Sequence, residues 1–135
     1  MILKTFVQQS KNKILDKLKI YLEHKGIGMN KDQYLRMVEQ TGEEIDWDKC
    51  PPDMEDFSDS VIVAISIYNS LGDRIYPEIG FVGKDFTNLS LLYKNYCVEK
   101  HQKDWIFEIL FFLDEINIKE SQQKLKAEYD KIKKK

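Results

Sequence analysis

From Val61 to Ile67 the chain reads Val-Ile-Val-Ala-Ile-Ser-Ile, a run that a 135-residue soluble protein has to cover on most sides. Val61, Val63, Ile65 and Ile67 alternate, and β-branched residues favour strands, so a strand is the alternative reading. Helix is favoured by the flanks. Asp56 and Ser58 are good N-caps with acidic residues around the first turn, and Leu71–Gly72 has the form of a last turn followed by a left-handed glycine. The only other strand-like text is Ile75–Val82, too little to pair with it. The expectation is an all-α fold, a compact bundle of five to six helices around this central apolar helix, in a single domain over 1–135.

Apolar spacing supplies the wrapping helices. Leu3, Val7, Ile14, Leu18 and Leu22 recur at helical intervals, which predicts a helix from Ile2 to about His24, ended by Gly26 and Gly28. Asn30 and Gln33 form a capping-box pattern for a short second helix with Tyr34, Leu35, Met37 and Val38 inward, stopped by Gly42. Residues 43–57 contain Pro51 and Pro52 and read as a long ordered strap, pinned by Ile45, Trp47, Met54 and Phe57. Gly72, Gly80, Gly83 and Pro77 mark a Gly/Pro-rich loop with room for a small hairpin. Asp85 or Thr87 then caps a helix over 86–97. A fifth helix begins near Asp104 with Trp105, Ile109, Phe112, Leu113 and Ile116 as its face, Asn117 marking a bend or nothing. Ile118, Gln122, Leu125, Tyr129 and Ile132 continue at four- and three-residue steps, a two-heptad seam suited to a helix over 118–135 that lies on the domain or protrudes to pack against a second chain.

Charge is uneven although the net value is only -2. Residues 1–36 hold eight Lys/Arg and three acids, whereas residues 37–59 hold nine acids and one lysine. The simplest source of this pattern is an acidic loop meeting a basic helix within the protein or between copies. No apolar run reaches membrane-spanning length, and the start of the chain lacks the form of a signal peptide. Cys50 and Cys97 stand apart in unlike contexts, so both are expected as free thiols in a reducing cytoplasm.

Motifs for chemistry are weak. Gly80–Asp85 has a Gly-Lys pair without the spacing or the Ser/Thr of a phosphate loop. Asp46, Asp48, Asp53, Glu55, Asp56 and Asp59 offer oxygen ligands at the wrong spacing for a calcium loop, and His24 and His101 have no ligand partners nearby in sequence. Ser58, Ser60, Cys50 and Cys97 lack an evident general base, and Asp114–Glu115 reads as helix surface. No catalytic residue, metal or cofactor is therefore expected. Lys11, Lys13, Lys17 and Lys19 of the first helix and the C-terminal lysines are the candidates for nucleic-acid binding. The four spread over more than half the helix circumference, however, the C-terminal lysines alternate with Glu120, Glu128 and Asp130, and arginine is scarce. The surplus of apolar and aromatic side chains points instead to a protein partner, self or other, with Trp47, Met54, Tyr76, Phe81, Leu125, Tyr129 and Ile132 as candidate contacts.

The segments PPDMEDFSDSVIVAISIYNSLGDR and EIGFVGKDFTNLSLLYKNY, within Pro51–Tyr96, resemble small helical proteins of tailed bacteriophages. The shared features are a Pro-acidic lead-in, an apolar helix, a Gly-Lys-Asp turn and a Leu-rich helix. The resemblance implies a virion-assembly, adaptor or host-directed binding protein without catalytic residues. The sequence reading is a non-enzymatic protein-binding or assembly protein, with a nucleic-acid-associated regulator as the alternative.

Overall fold

A computed structural model describes residues 2–24 and 29–133, which include α1 (Ile2–His24), α2 (Lys31–Thr41) and α3 (Asp59–Ser70). A β-hairpin follows, β1 (Gly72–Tyr76) and β2 (Gly80–Asp85), then α4 (Leu89–Asn95) and α5 (Lys103–Lys133). The hairpin corrects the all-α expectation: the fold is mostly helical and carries a two-stranded antiparallel sheet. The chain divides into two compact units, Met1–Ser58 and Asp59–Lys135. Gly26 and Gly28, expected to end the first helix, lie outside the described residues.

In the first unit local sequence dictates local structure closely. Asn30 Oδ1 accepts the Gln33 N–H at 2.9 Å while Gln33 Oε1 accepts the Asn30 N–H at 3.0 Å, the reciprocal box that starts α2. Gly42 ends α2 at φ 71, a conformation that costs a Cβ-bearing residue and not glycine. The strap after it is tied back by Tyr34, whose hydroxyl donates to the Asp46 carbonyl and accepts the Asp46 N–H. Asp53 and Asp56 cap each other around a 3-10 turn at Met54–Asp56, so Asp56 does not cap α3. Phe57 is buried and meets the Tyr21 ring edge-on. Trp47 and Ile45 do not tuck inward: Trp47 is 66% exposed.

In the second unit Val61–Ile67 is helical, and Val61, Ala64, Ile67 and Tyr68 form the buried face of α3. Against it α5 sets Ile106, Ile109, Leu110 and Leu113, and these two helices hold the unit's core. Gly72 is not a left-handed helix stop. It is the first residue of β1, and the positive-φ glycines among the described residues are Gly42, Gly80 and Gly83. Asp85 accepts from the Thr87 N–H and hydroxyl, closing a turn, and α4 begins later than expected at Leu89. α5 runs unbroken through Asn117 to Lys133, so 118–133 continues the same helix.

Candidate functional site

The hairpin is laid along α5 by three polar contacts in sequence order. Asp114 Oδ1 accepts the Lys84 N–H at 3.0 Å, Ser121 Oγ accepts the Phe81 N–H at 3.2 Å, and the Tyr129 hydroxyl donates to the Glu78 carbonyl at 3.5 Å. The spacings agree. Three strand residues advance roughly 10 Å, and the seven helix residues from Asp114 to Ser121 advance about 10.5 Å. The strand therefore follows the helix without losing register.

A bulge makes those two amides accessible to the helix. Ile75 faces Phe81 and Asp73 faces Lys84, so β2 carries one more residue than β1 between these pairs. Gly83 sits in the bulge at φ 124. Along a regular strand the N–H groups of one edge recur every second residue. The extra residue shifts that phase so that Phe81 and Lys84 both donate to α5. The carbonyl of Val82, inside the bulge, accepts from Arg74 Nη2 at 3.3 Å.

Asp114 is the pivot and is only 7% exposed. Besides the Lys84 amide, its Oδ1 accepts the Tyr68 hydroxyl at 3.0 Å, and that hydroxyl accepts from Asn117 Nδ2 at 3.0 Å. Burial, together with the Asp114 carboxylate beside it, pushes the Tyr68 hydroxyl far above its ordinary range, so it stays protonated as a donor. Lys84 Nζ lies 4.9 Å from the Tyr68 ring centroid, pairs with Asp73 at 2.6 Å and donates to the Leu71 carbonyl at 3.2 Å. These charges are consumed in holding α3, the hairpin and α5 together. The placement of Asp114 overturns its reading as helix surface. A sequence signal existed: Asp114 and Asn117 fall on the same helical face as Leu110.

A groove of about 470 Å³ opens beside this network, between Tyr68 and Asn69 of α3, Ile75 and Phe81 of the hairpin, and Asn117 and Ser121 of α5. Two other surfaces of the unit are apolar. Phe86, Phe107 and Phe111 pack ring on ring at centroid distances of 4.6–6.3 Å, yet Phe111 is 50% exposed and Leu91 is exposed as well. Ile75, Tyr76 and Ile79 are exposed on the hairpin, as are Tyr129 and Ile132 on α5.

The candidate contacts predicted from sequence divide between the units. Trp47, exposed, and Met54, half-buried, belong to the first. Tyr76, Phe81, Leu125, Tyr129 and Ile132 belong to the second, where the hairpin brings Phe81 to Ser121 and the turn to Tyr129. The heptad seam thus spends part of its length on the chain's own hairpin. Ser121 and Phe107 were not singled out by sequence reasoning. Lys13 and Lys17 share a shallow recess with Phe57, and Lys17 Nζ lies 5.8 Å from that ring, while Lys11 and Lys19 fall on other faces of α1. The acidic strap meets the basic segment at the ion pair of Lys31 Nζ with Asp56 Oδ1, at 2.8 Å. That hydrogen bond, reinforced by the Asp53 amide, holds the Asp56 carboxyl below its ordinary value and the Lys31 ammonium above its own.

Among the described residues Cys50 and Cys97 are free, no three His, Cys, Asp or Glu side chains converge as a metal site, and no helix is long and apolar enough to cross a membrane. No protein-family model matches the chain, and neither the curated proteins nor the solved structures yield a match.

Proposed function

We propose that the chain is a non-enzymatic protein-binding or assembly protein, acting in the cytoplasm and encoded by a phage, as the sequence resemblance implies. The observation that carries this reading is the phenylalanine cluster of Phe86, Phe107 and Phe111. Phe107 and Phe111 stand on α5 away from its core residues, Phe86 after β2 packs against both, and the cluster still presents aromatic surface to solvent. Rigid aromatic side chains lose little conformational entropy on docking and dominate protein interfaces. The polar network supports the same reading, because Asp114, Tyr68 and Lys84 satisfy one another within the fold.

Light scattering of the full chain at two concentrations, beside capture from the native source, tests the proposal. A specific complex or self-assembly is expected, weakened at least tenfold by Phe111→Ser with helical content retained. A strict monomer that captures nothing, indistinguishable from Phe111→Ser, overturns it. Among the described residues Lys11 and Lys19 do not share a face with Lys13 and Lys17, which gives the nucleic-acid alternative no single basic face on α1.

A further inference from the structure

The two edges of the hairpin are treated differently. On the β2 edge the Phe81 and Lys84 amides are closed by α5 through Ser121 and Asp114. On the β1 edge, among the described residues, no backbone group of Gly72–Tyr76 bonds to any element other than β2. Every residue of β1 is exposed, Ile75 at 66%. Strand edges left open are commonly guarded by proline, by outward lysine or by a bulge. Gly72–Tyr76 contains neither proline nor lysine, and the bulge lies in β2. Its two charged side chains are drawn inward: Asp73 pairs with Lys84, and Arg74 donates to the Val82 carbonyl.

We infer that the outer edge of β1 is a strand-addition site, and that its occupant is an extended segment of a partner protein. A row of unpaired, alternating amide and carbonyl groups is complemented by another extended backbone, which supplies affinity while alternate side chains supply selectivity. The groove of about 470 Å³ bordered by Ile75 and Phe81 lies on one face of the hairpin and receives those alternate side chains. It pairs an apolar wall with amide and hydroxyl groups from Asn69, Asn117 and Ser121, and its charged side chains are already matched, Asp73 to Lys84 and Glu120 to Lys124, so the segment carries apolar residues at every second position with short uncharged polar residues between. A second copy of β1 is a poorer occupant. Antiparallel pairing that preserves the faces, centred on the strand, sets Arg74 opposite its own copy, and like charges directly opposite are destabilising. The inference rests on the protein-binding reading and names the chemistry of the partner.

A random heptapeptide library displayed against the full chain tests it. Enriched peptides are expected to alternate apolar and polar residues, to slow hydrogen exchange at β1 amides, and to bind Ile75→Lys at least tenfold more weakly. Leu91→Lys and Phe111→Ser are expected to bind them unchanged, which separates failure here from failure of the phenylalanine surface. Circular dichroism establishes that each variant is folded. Should Ile75→Lys lose its fold, Tyr76→Lys carries the comparison, with the same loss expected. The inference is overturned by absence of enrichment, by peptides whose binding or exchange protection ignores β1, or by a dimer that Ile75→Lys dissolves.

Discussion

At Gly83 one added methyl group would stand 2.9 Å from Asp114 Oδ2 and 3.3 Å from Arg74 Nη2, on a backbone at φ 124. Asp114 is buried and is the neighbour that cannot yield, whereas Arg74 reaches the Val82 carbonyl with the exposed end of a flexible side chain. Gly83→Ala is therefore expected to destabilise the protein by about 2 kcal/mol, from a disfavoured backbone and a steric collision together. Urea unfolding followed by circular dichroism measures it; a change within about 0.5 kcal/mol would refute the account of the bulge. Asp114→Ala leaves the Lys84 amide and Tyr68 hydroxyl without their acceptor and is expected to cost about 3 kcal/mol, whereas Asp114→Asn keeps an acceptor oxygen and costs about 1. Equal losses for the two substitutions would show that hydrogen bonding is not what Asp114 contributes. Asn30 and Gly42 were legible in sequence because their partners are within a few residues. Asp114 was not, because its partners Tyr68 and Lys84 are distant in the chain and pattern reasoning reads an acid beside Glu115 as solvent-facing.

Elements are positioned by the same distinction between local and distant partners. Val61–Ile67 has β-branched alternation and is nonetheless a helix, since α5 offers it an apolar helix face and the only other strand-like text pairs with itself as a hairpin. The hairpin was visible only as glycine and proline punctuation, because a five-residue strand without apolar alternation draws its stability from α5. Asn117 could have marked a bend; its amide instead reaches Tyr68, and the helix passes through. In the first unit the turn at Met54–Asp56 is joined to α2 by the Asp56–Lys31 pair. With the Asp56 carboxyl held below its ordinary 3.8, the pair's contribution is complete above that value and declines as pH falls through the lower folded one. Both groups are near solvent, so the expected effect is small and salt-sensitive. Carboxyl titration by NMR should find Asp56 below its ordinary value, and Lys31→Met should raise it toward that value, the Asp53 amide keeping its smaller share. An Asp56 that titrates normally in the intact chain would dismiss the pair.

Among the described residues of the whole molecule the buried apolar side chains are unevenly shared. Asp59–Lys135 holds Val61, Ala64, Ile67, Tyr68, Leu71, Ile106, Ile109, Leu110 and Leu113, while Met1–Ser58 holds Leu18, Tyr34, Val38 and Phe57. Burial on this scale is the main source of stability, at about 1.5–3 kcal/mol for each large aliphatic side chain before conformational entropy is subtracted. The second unit also contains every partner of the Asp114 network and the whole sheet. A fragment of residues 59–135 is accordingly expected to fold by itself, with helical circular dichroism and a single cooperative thermal transition. A fragment of residues 1–58 is near the size at which a core alone ceases to suffice, and it is expected to melt broadly with loss of the Tyr34–Asp46 clamp. If 59–135 proves unfolded while the full chain is stable, the helix–hairpin module is not the independent support on which both docking surfaces depend. If it folds, Gly83→Ala must lower its midpoint as it does in the full chain, because everything that substitution disturbs lies inside the fragment.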